Sequence, residues 1–190
     1  MKKLILSFLL AGLTAGVYGQ SQAEVEKLLS EYQKAMQAKE WLKSLDYVYP
    51  AMFDVIPREM MEETLAQTFN SPELEIAFEE MELLQVSDIY SEDNITYSFA
   101  DYTLVMSMQL AGDKTEEQTQ QFAEIMASQV GEENVSVDGK VVYITQTNKL
   151  AAIKNKGEEK IYLLELNPQL KEIMASFMSE TFLDRAFAES

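Results

Sequence analysis

The sequence predicts an α+β domain in which amino-terminal helices pack on a curved, mainly antiparallel sheet and a C-terminal helix closes the core. Three observations carry this. Apolar residues recur every three or four positions over 22–70, switch to every second position from residue 73, and return to helical spacing after Asn167-Pro168. The organisation is a signal peptide over 1–19 and a single α+β domain over 20–190.

The first element is not part of the fold. "MKK" is a short basic start, "LILSFLLAGLTAGVY" an apolar run, and Val17 and Gly19 occupy the small-residue positions before a cleavage site at Gly19-Gln20. This is the pattern of a secretory signal peptide, too short and wrongly flanked for a spanning helix. The expectation is export to the periplasm or beyond, cleavage being preferred over retention as an amino-terminal anchor. Cysteine is absent, so a lipid-modified cysteine is excluded.

The helical block follows. "AEVEKLLSEYQKAM" sets Val25, Leu28, Leu29, Tyr32 and Met36 on one stripe, with Ser21 and Glu24 as a capping box. A second helix is expected over about 39–48, ended by Pro50, and a third begins near Pro57 and stops at Asn70, burying Met61, Leu65 and Phe69. Strands come next. Leu74, Ile76 and Phe78 alternate. In "NITYSFADYTLVMSMQL" the apolar positions are odd through Phe99 and even from Tyr102. A side-chain period of two does not change parity without an extra residue, so a β-bulge is expected at Ala100-Asp101.

A helix over 114–130 carries Phe122, Ile125 and Met126 and stops at Gly131. Asp138-Gly139 marks a two-residue hairpin, followed by a long extended segment. "KIYLLEL" is apolar on both faces and is expected to be a central strand. Asn167 caps and Pro168 opens the last helix, over 168–186, with Leu170, Ile173, Met174, Phe177, Met178 and Phe182 turned to the core.

Charge and composition exclude several functions. Loss of Lys2 and Lys3 with the signal leaves 13 basic against 32 acidic residues in 171, a net charge of −19. Such a chain repels nucleic acid and anionic lipid surfaces. Histidine and cysteine are both absent, which removes thiol chemistry, Cys/His zinc sites, histidine-ligated haem and Ser-His-Asp catalysis. No catalytic residue, metal ligand or cofactor is assigned, and no integral membrane segment is expected in the mature chain. Acid–base work near neutral pH would fall to a carboxylate, tyrosine or lysine with a shifted pKa.

The candidate ligand-binding residues are Trp41, Tyr47, Tyr49, Phe53, Tyr97 and Tyr102, aromatic side chains that could line a pocket beneath the helices; ordinary core packing is the competing and preferred reading. Asp46 and Asp54 flank that cluster and read as solvated carboxylates at helix ends. Met106 and Met108 have thioether spacing but fit the apolar face of their strand. "SEDN" at 91–94 lacks the spacing that converges oxygens on calcium and reads as a polar loop.

Through "WLKSLDYVYPAMFDVIPREMMEETLAQTF" and the bent strands after it, the chain resembles the NTF2-like superfamily (SnoaL-like or cystatin-like cones) and uncharacterised exported bacterial proteins of that build. The resemblance covers about two-thirds of the mature chain and implies a cone with an apolar mouth. It departs at the helix over 114–130 and at the long C-terminal helix. Enzymes of the superfamily use Asp-His or Asp-Tyr groups, and the His half has no counterpart here.

Three functions fit: a non-catalytic exported domain binding a protein partner or a small apolar ligand; a structural or assembly factor of the cell envelope; and a His-free isomerase or hydrolase using Asp and Tyr. The export expectation is directly testable. Mass spectrometry of the native protein should find a chain beginning at Gln20, and a chain retaining Met1 would overturn it.

Overall fold

The computed structural model describes residues 22–188; the signal-peptide, cleavage-site and Ser21 cap expectations lie outside them. Helix α1 (Gln22–Gln37) leads into α2 (Trp41–Ser44) and two 3-10 turns (Leu45–Tyr47 and Pro50–Asp54), then α3 (Arg58–Phe69). Strands β1 (Leu74–Val86), β2 (Tyr90–Glu92) and β3 (Ile95–Leu110) precede α4 (Glu116–Val130). Strands β4 (Val135–Asp138), β5 (Val141–Asn155) and β6 (Tyr162–Glu165) complete a six-stranded antiparallel sheet, and α5 (Lys171–Met174) and α6 (Glu180–Ala188) end the chain. The architecture is the predicted α+β class with its C-terminal helices on the sheet. Among the described residues no helix is long and apolar enough to cross a membrane.

β3 and β5 form the spine, paired without a break from Ile95↔Asn155 to Gln109↔Val141. β1 and the short β2 pair with β3, while β4 and β6 pair with opposite ends of β5. Turn chemistry fixes two of the hairpins. Asp93 and Asn94 join β2 to β3 with φ of 48° and 67°, the left-handed region these side chains tolerate. Gly139 (φ 58°) and Lys140 join β4 to β5, so the two-residue loop lies one position later than Asp138-Gly139. Helix α4 starts at a capping box between Thr115 and Gln118 and stops at Gly131 (φ 98°).

The bulge is not where the sequence placed it. β3 is regular through Ala100-Asp101, and the irregularities lie in β1, where Glu79 and Leu84 are extra residues. Phe99 and Tyr102 consequently point to opposite faces. Phe99 packs with Tyr97, Ala151, Ile153, Leu164 and Phe182, whereas Tyr102 packs with Val25, Leu29, Ala100 and Leu150. The apolar parity changes because coverage changes: α5 and α6 lie on one face near residues 95–99, and α1 lies on the other from residue 100 onward. The two bulges keep Phe78, Met81, Leu83 and Val86 beside Met106, Leu104, Tyr102 and Ala100, all toward the helices, and bend β1 as they do so.

Other expectations need correction. The second helix covers only Trp41–Ser44, with a 3-10 turn to Tyr47, because the next backbone is recruited elsewhere. Val48 bridges Leu163 in parallel and the Tyr49 N–H donates to the Leu163 carbonyl at 3.1 Å. β6 is therefore not central: it pairs only with β5, and this single bridge blunts its outer edge. Its two faces are nonetheless both covered, Leu163 by the α1 side and Leu164 by the C-terminal helices. Ile125 is 56% exposed, and α4 seats Thr119 and Ala123 instead. On α3 no residue is fully buried; Met61, Leu65 and Phe69 are half-buried, since this helix roofs a hollow.

The C-terminal helix is interrupted. Asn167 accepts from the Gln169 N–H and Pro168 opens a 3-10 turn, α5 follows, and the helix is interrupted between Met174 and Ser179, whose Oγ accepts from the Phe182 N–H at 3.1 Å to begin α6. Leu170 and Ile173 are exposed (36% and 38%), while Met174, Met178, Phe182, Leu183 and Ala186 are buried. Phe182 stacks on Tyr97 with ring centroids 4.7 Å apart. Phe182→Ala should therefore cost about 3 to 5 kcal/mol in a urea melt, the usual penalty for emptying an aromatic core position. Ile173→Ala should be close to neutral. Equal effects would show that α6 does not close the core.

Candidate functional site

Paired residues of an antiparallel ladder share a face, so the register shows what the helices cover. Beneath α1–α3 lie Tyr102, Leu104 and Met106 of β3, Gln146, Asn148 and Leu150 of β5, and the Glu165 position of β6, opposite Leu150. The helices do not seal this face. Two adjoining compartments remain between them and the sheet. The larger, about 650 Å³, is walled mainly by Tyr47, Val48, Met52, Ile56, Met60 and Met61. The smaller, about 280 Å³, lies among Met36, Phe69, Phe78, Met81, Leu104 and Met106. Tyr32, Ser44, Leu65 and Glu165 wall both.

Of these, Tyr32, Ser44 and Glu165 make a polar pole in an apolar cleft. Glu165 is exposed toward the hollows yet crowded by their walls, and lost hydration raises its carboxyl pKa. Among the described residues no Lys or Arg lines either compartment. Burial pushes the Tyr32 hydroxyl up to about 12, reinforced by the charge of Glu165. Tyr102 is raised further, by burial first and then by Glu165 and Tyr32, with its hydrogen bond to Asn148 opposing the shift. Both phenols therefore stay protonated at neutral pH and present hydroxyl donors beside a carboxylate. Lys149 lines neither compartment, although Glu165 also borders a third hollow that Lys149 and Asp101 line; its Nζ donates to the Ala186 carbonyl at 2.6 Å, lies 3.5 Å from Asp101 and sits 4.3 Å over the Phe99 ring.

The six aromatic residues singled out in the sequence do not converge. Tyr47 lines the larger compartment and meets Tyr32 edge-on at 5.8 Å, and Tyr102 lines the smaller. Trp41 is buried and stacks on Phe69 at 4.2 Å, fastening α2 to α3. Tyr49 and Tyr97 belong to the core under the C-terminal helices; the Tyr49 hydroxyl donates to Asn155 Oδ1 at 3.2 Å. Phe53 is half-buried below the Arg58 guanidinium. Asp46 pairs with Arg58 at 2.7 Å near the surface, and Asp54 is exposed. Met106 opens on the smaller compartment, whereas Met108 packs beneath α4. Of residues 91–94, expected as a polar loop, Ser91 and Glu92 end β2 and only Asp93 and Asn94 form the turn to β3; Ser179 Oγ donates to Glu92 and Asn94 accepts from Lys156 Nζ. Glu165, Tyr32 and Asn148 were not among the candidates. The signal for Glu165 was present, a lone acid in "KIYLLEL". Tyr32 sat on the α1 stripe and read as core.

No protein-family model matches the chain, and no curated protein matches it by sequence.

The raised pKa of Glu165 has a defined consequence for stability. A carboxyl whose folded pKa exceeds its unfolded value destabilises the fold once ionised, so its penalty appears as pH rises through that interval and vanishes below about 4.3. Glu165→Gln should thus melt higher than the parent at pH 7, and the gap should narrow as pH falls toward 4. A gap independent of pH would show that the carboxylate is well hydrated.

Proposed function

We propose that this is an exported domain that binds a small, largely apolar molecule in the cleft between α1–α3 and the sheet. The observation that carries this is the open cleft itself: α3 lays Met61, Leu65 and Phe69 over a hollow of about 650 Å³ instead of burying them. A helix whose apolar side is half-wet in the free protein gains burial when a ligand enters. Tyr32, Tyr102 and Glu165 then orient the polar end. The export part rests on residues 1–19 alone, and the cleft supports the resemblance to the cone superfamily only in having an apolar mouth beneath helices.

A second reading, a His-free isomerase or hydrolase, is favoured by one arrangement. Glu165 is a carboxylate with a raised pKa beside two protonated phenols, which is a base and two hydrogen-bond donors in one hollow. Here the carboxylate role falls to a glutamate instead of the expected aspartate.

Leu65 walls both compartments, so Leu65→Trp should fill the cleft and abolish binding of a neutral fluorescent probe such as N-phenyl-1-naphthylamine. Ile125→Trp, on the exposed side of α4, should leave binding intact. Retention of probe binding by Leu65→Trp with native circular dichroism would remove the cleft as the site.

A further inference from the structure

The cleft carries a charge pattern that selects among apolar ligands. Among the described residues its charged wall residues are all acids, Glu165 in both compartments and Glu80 in the smaller. Neither compartment sets a described cation beside Glu165, and burial raises its carboxyl pKa. Lys149, the nearest cation on an adjoining strand, is turned to Asp101, the Phe99 ring and the α6 carboxyl end. Around Glu165 stand Tyr32, Tyr47 and Tyr102. A carboxylate short of hydration, with aromatic rings about it and an apolar hollow beyond, complements one kind of molecule.

We infer that the ligand of this cleft is a monocationic amphiphile, an amine or quaternary ammonium with an apolar body, whose charge sits at Glu165 among the tyrosines and whose body fills the hollow under α3. A cation at this place restores to the carboxylate the partner that the fold withholds and gains attraction from the ring faces. An anionic amphiphile of equal size would meet two wall acids and no cation, and the net charge of −17 of the full chain would oppose its approach. A neutral amphiphile would bury the same apolar area but leave Glu165 unpaired.

This inference rests on the cleft being a binding site, and the experiment separates the two. Decyltrimethylammonium, decanol and decyl sulfate are titrated below micelle formation, at physiological ionic strength, against N-phenyl-1-naphthylamine bound to the protein. The cation should displace the probe at about one-tenth the concentration that decanol needs, the combined effect of one half-exposed ion pair and cation–ring contacts. Decyl sulfate should be the weakest.

In Glu165→Gln the advantage of the cation over decanol, read as the ratio of their displacing concentrations in that same variant, should fall to about twofold or less; Glu165→Asp should keep much of it. Glu82→Gln, on the face away from the cleft, should change nothing. If decanol binds the parent as well as the cation does, the charge preference is overturned and the cleft reading stands. If the cation keeps its advantage in Glu165→Gln, the preference comes from surface charge and the inference fails. If neither neutral probe nor decanol binds at all, the cleft reading falls, and this inference with it.

Discussion

The structure depends on the uninterrupted pairing of β3 with β5, fifteen consecutive residue pairs with no register shift. An unbroken ladder makes parity a rule: a residue's number decides its face along the whole spine. Helices then cover each face only in part. Odd residues near 97–99 and 151–153 are sealed by α5 and α6, and even residues near 100–102 and 150–152 by α1. α4 covers the even face at the far end, over Val142 and Ile144. The even face between α1 and α4 is the part no helix seals, and there the cleft opens. Its floor is polar where it is open: Gln146 and Asn148 stand where flanking positions carry Ile144 and Leu150. A strip of amide side chains in the middle of an apolar sheet face would be costly under a sealed helix, and is tolerable in a wet hollow.

Much of this was legible from local rules. The change of period located the helical block and the sheet, Asn167-Pro168 located the last turn into helix, and Gly131 stopped α4 where expected. These features depend on a few neighbouring residues. What failed depended on distant ones. The parity switch in β3 looks like a bulge because sequence records where apolar residues fall, not which partner covers them; the real bulges at Glu79 and Leu84 sit in a strand whose mixed pattern hides them. β6 looked central because both faces are apolar, yet double coverage by helices produces the same pattern on an edge strand. The second helix was cut short by a contact between Val48 and Leu163, more than a hundred positions apart.

The site was half legible for the same reason. Tyr47 and Tyr102 reach the cleft and Trp41, Tyr49, Phe53 and Tyr97 do not, although all six are aromatic residues in the right segments. An aromatic ring fits a core and a pocket equally well, so residue type alone does not separate them. A carboxylate does. Glu165 lies in a segment otherwise made of Ile161, Tyr162, Leu163, Leu164 and Leu166, and an acid among such neighbours either finds a partner, stays near solvent or weakens the fold.

The two helical layers therefore use one sheet in different ways. Under α6, Phe182 and Leu183 leave almost no exposed surface, and rings of Tyr97, Phe99 and Phe182 fill the space between layers. Under α3 the same kinds of side chain stop short, and Arg58 links the start of the helix to Asp46 while pairing with Glu62 one turn along the helix itself, contacts near the surface that contribute little energy. The stacked Trp41 and Phe69 rings anchor its far end. A helix fixed at its two ends and loosely packed between them keeps its place over the sheet without filling the space below. The C-terminal layer supplies the stability that this arrangement forgoes, since each large side chain sealed there contributes about 1.5 to 3 kcal/mol. One face is committed to holding the fold together, and that leaves the other free to keep a carboxylate of raised pKa and an open apolar hollow side by side.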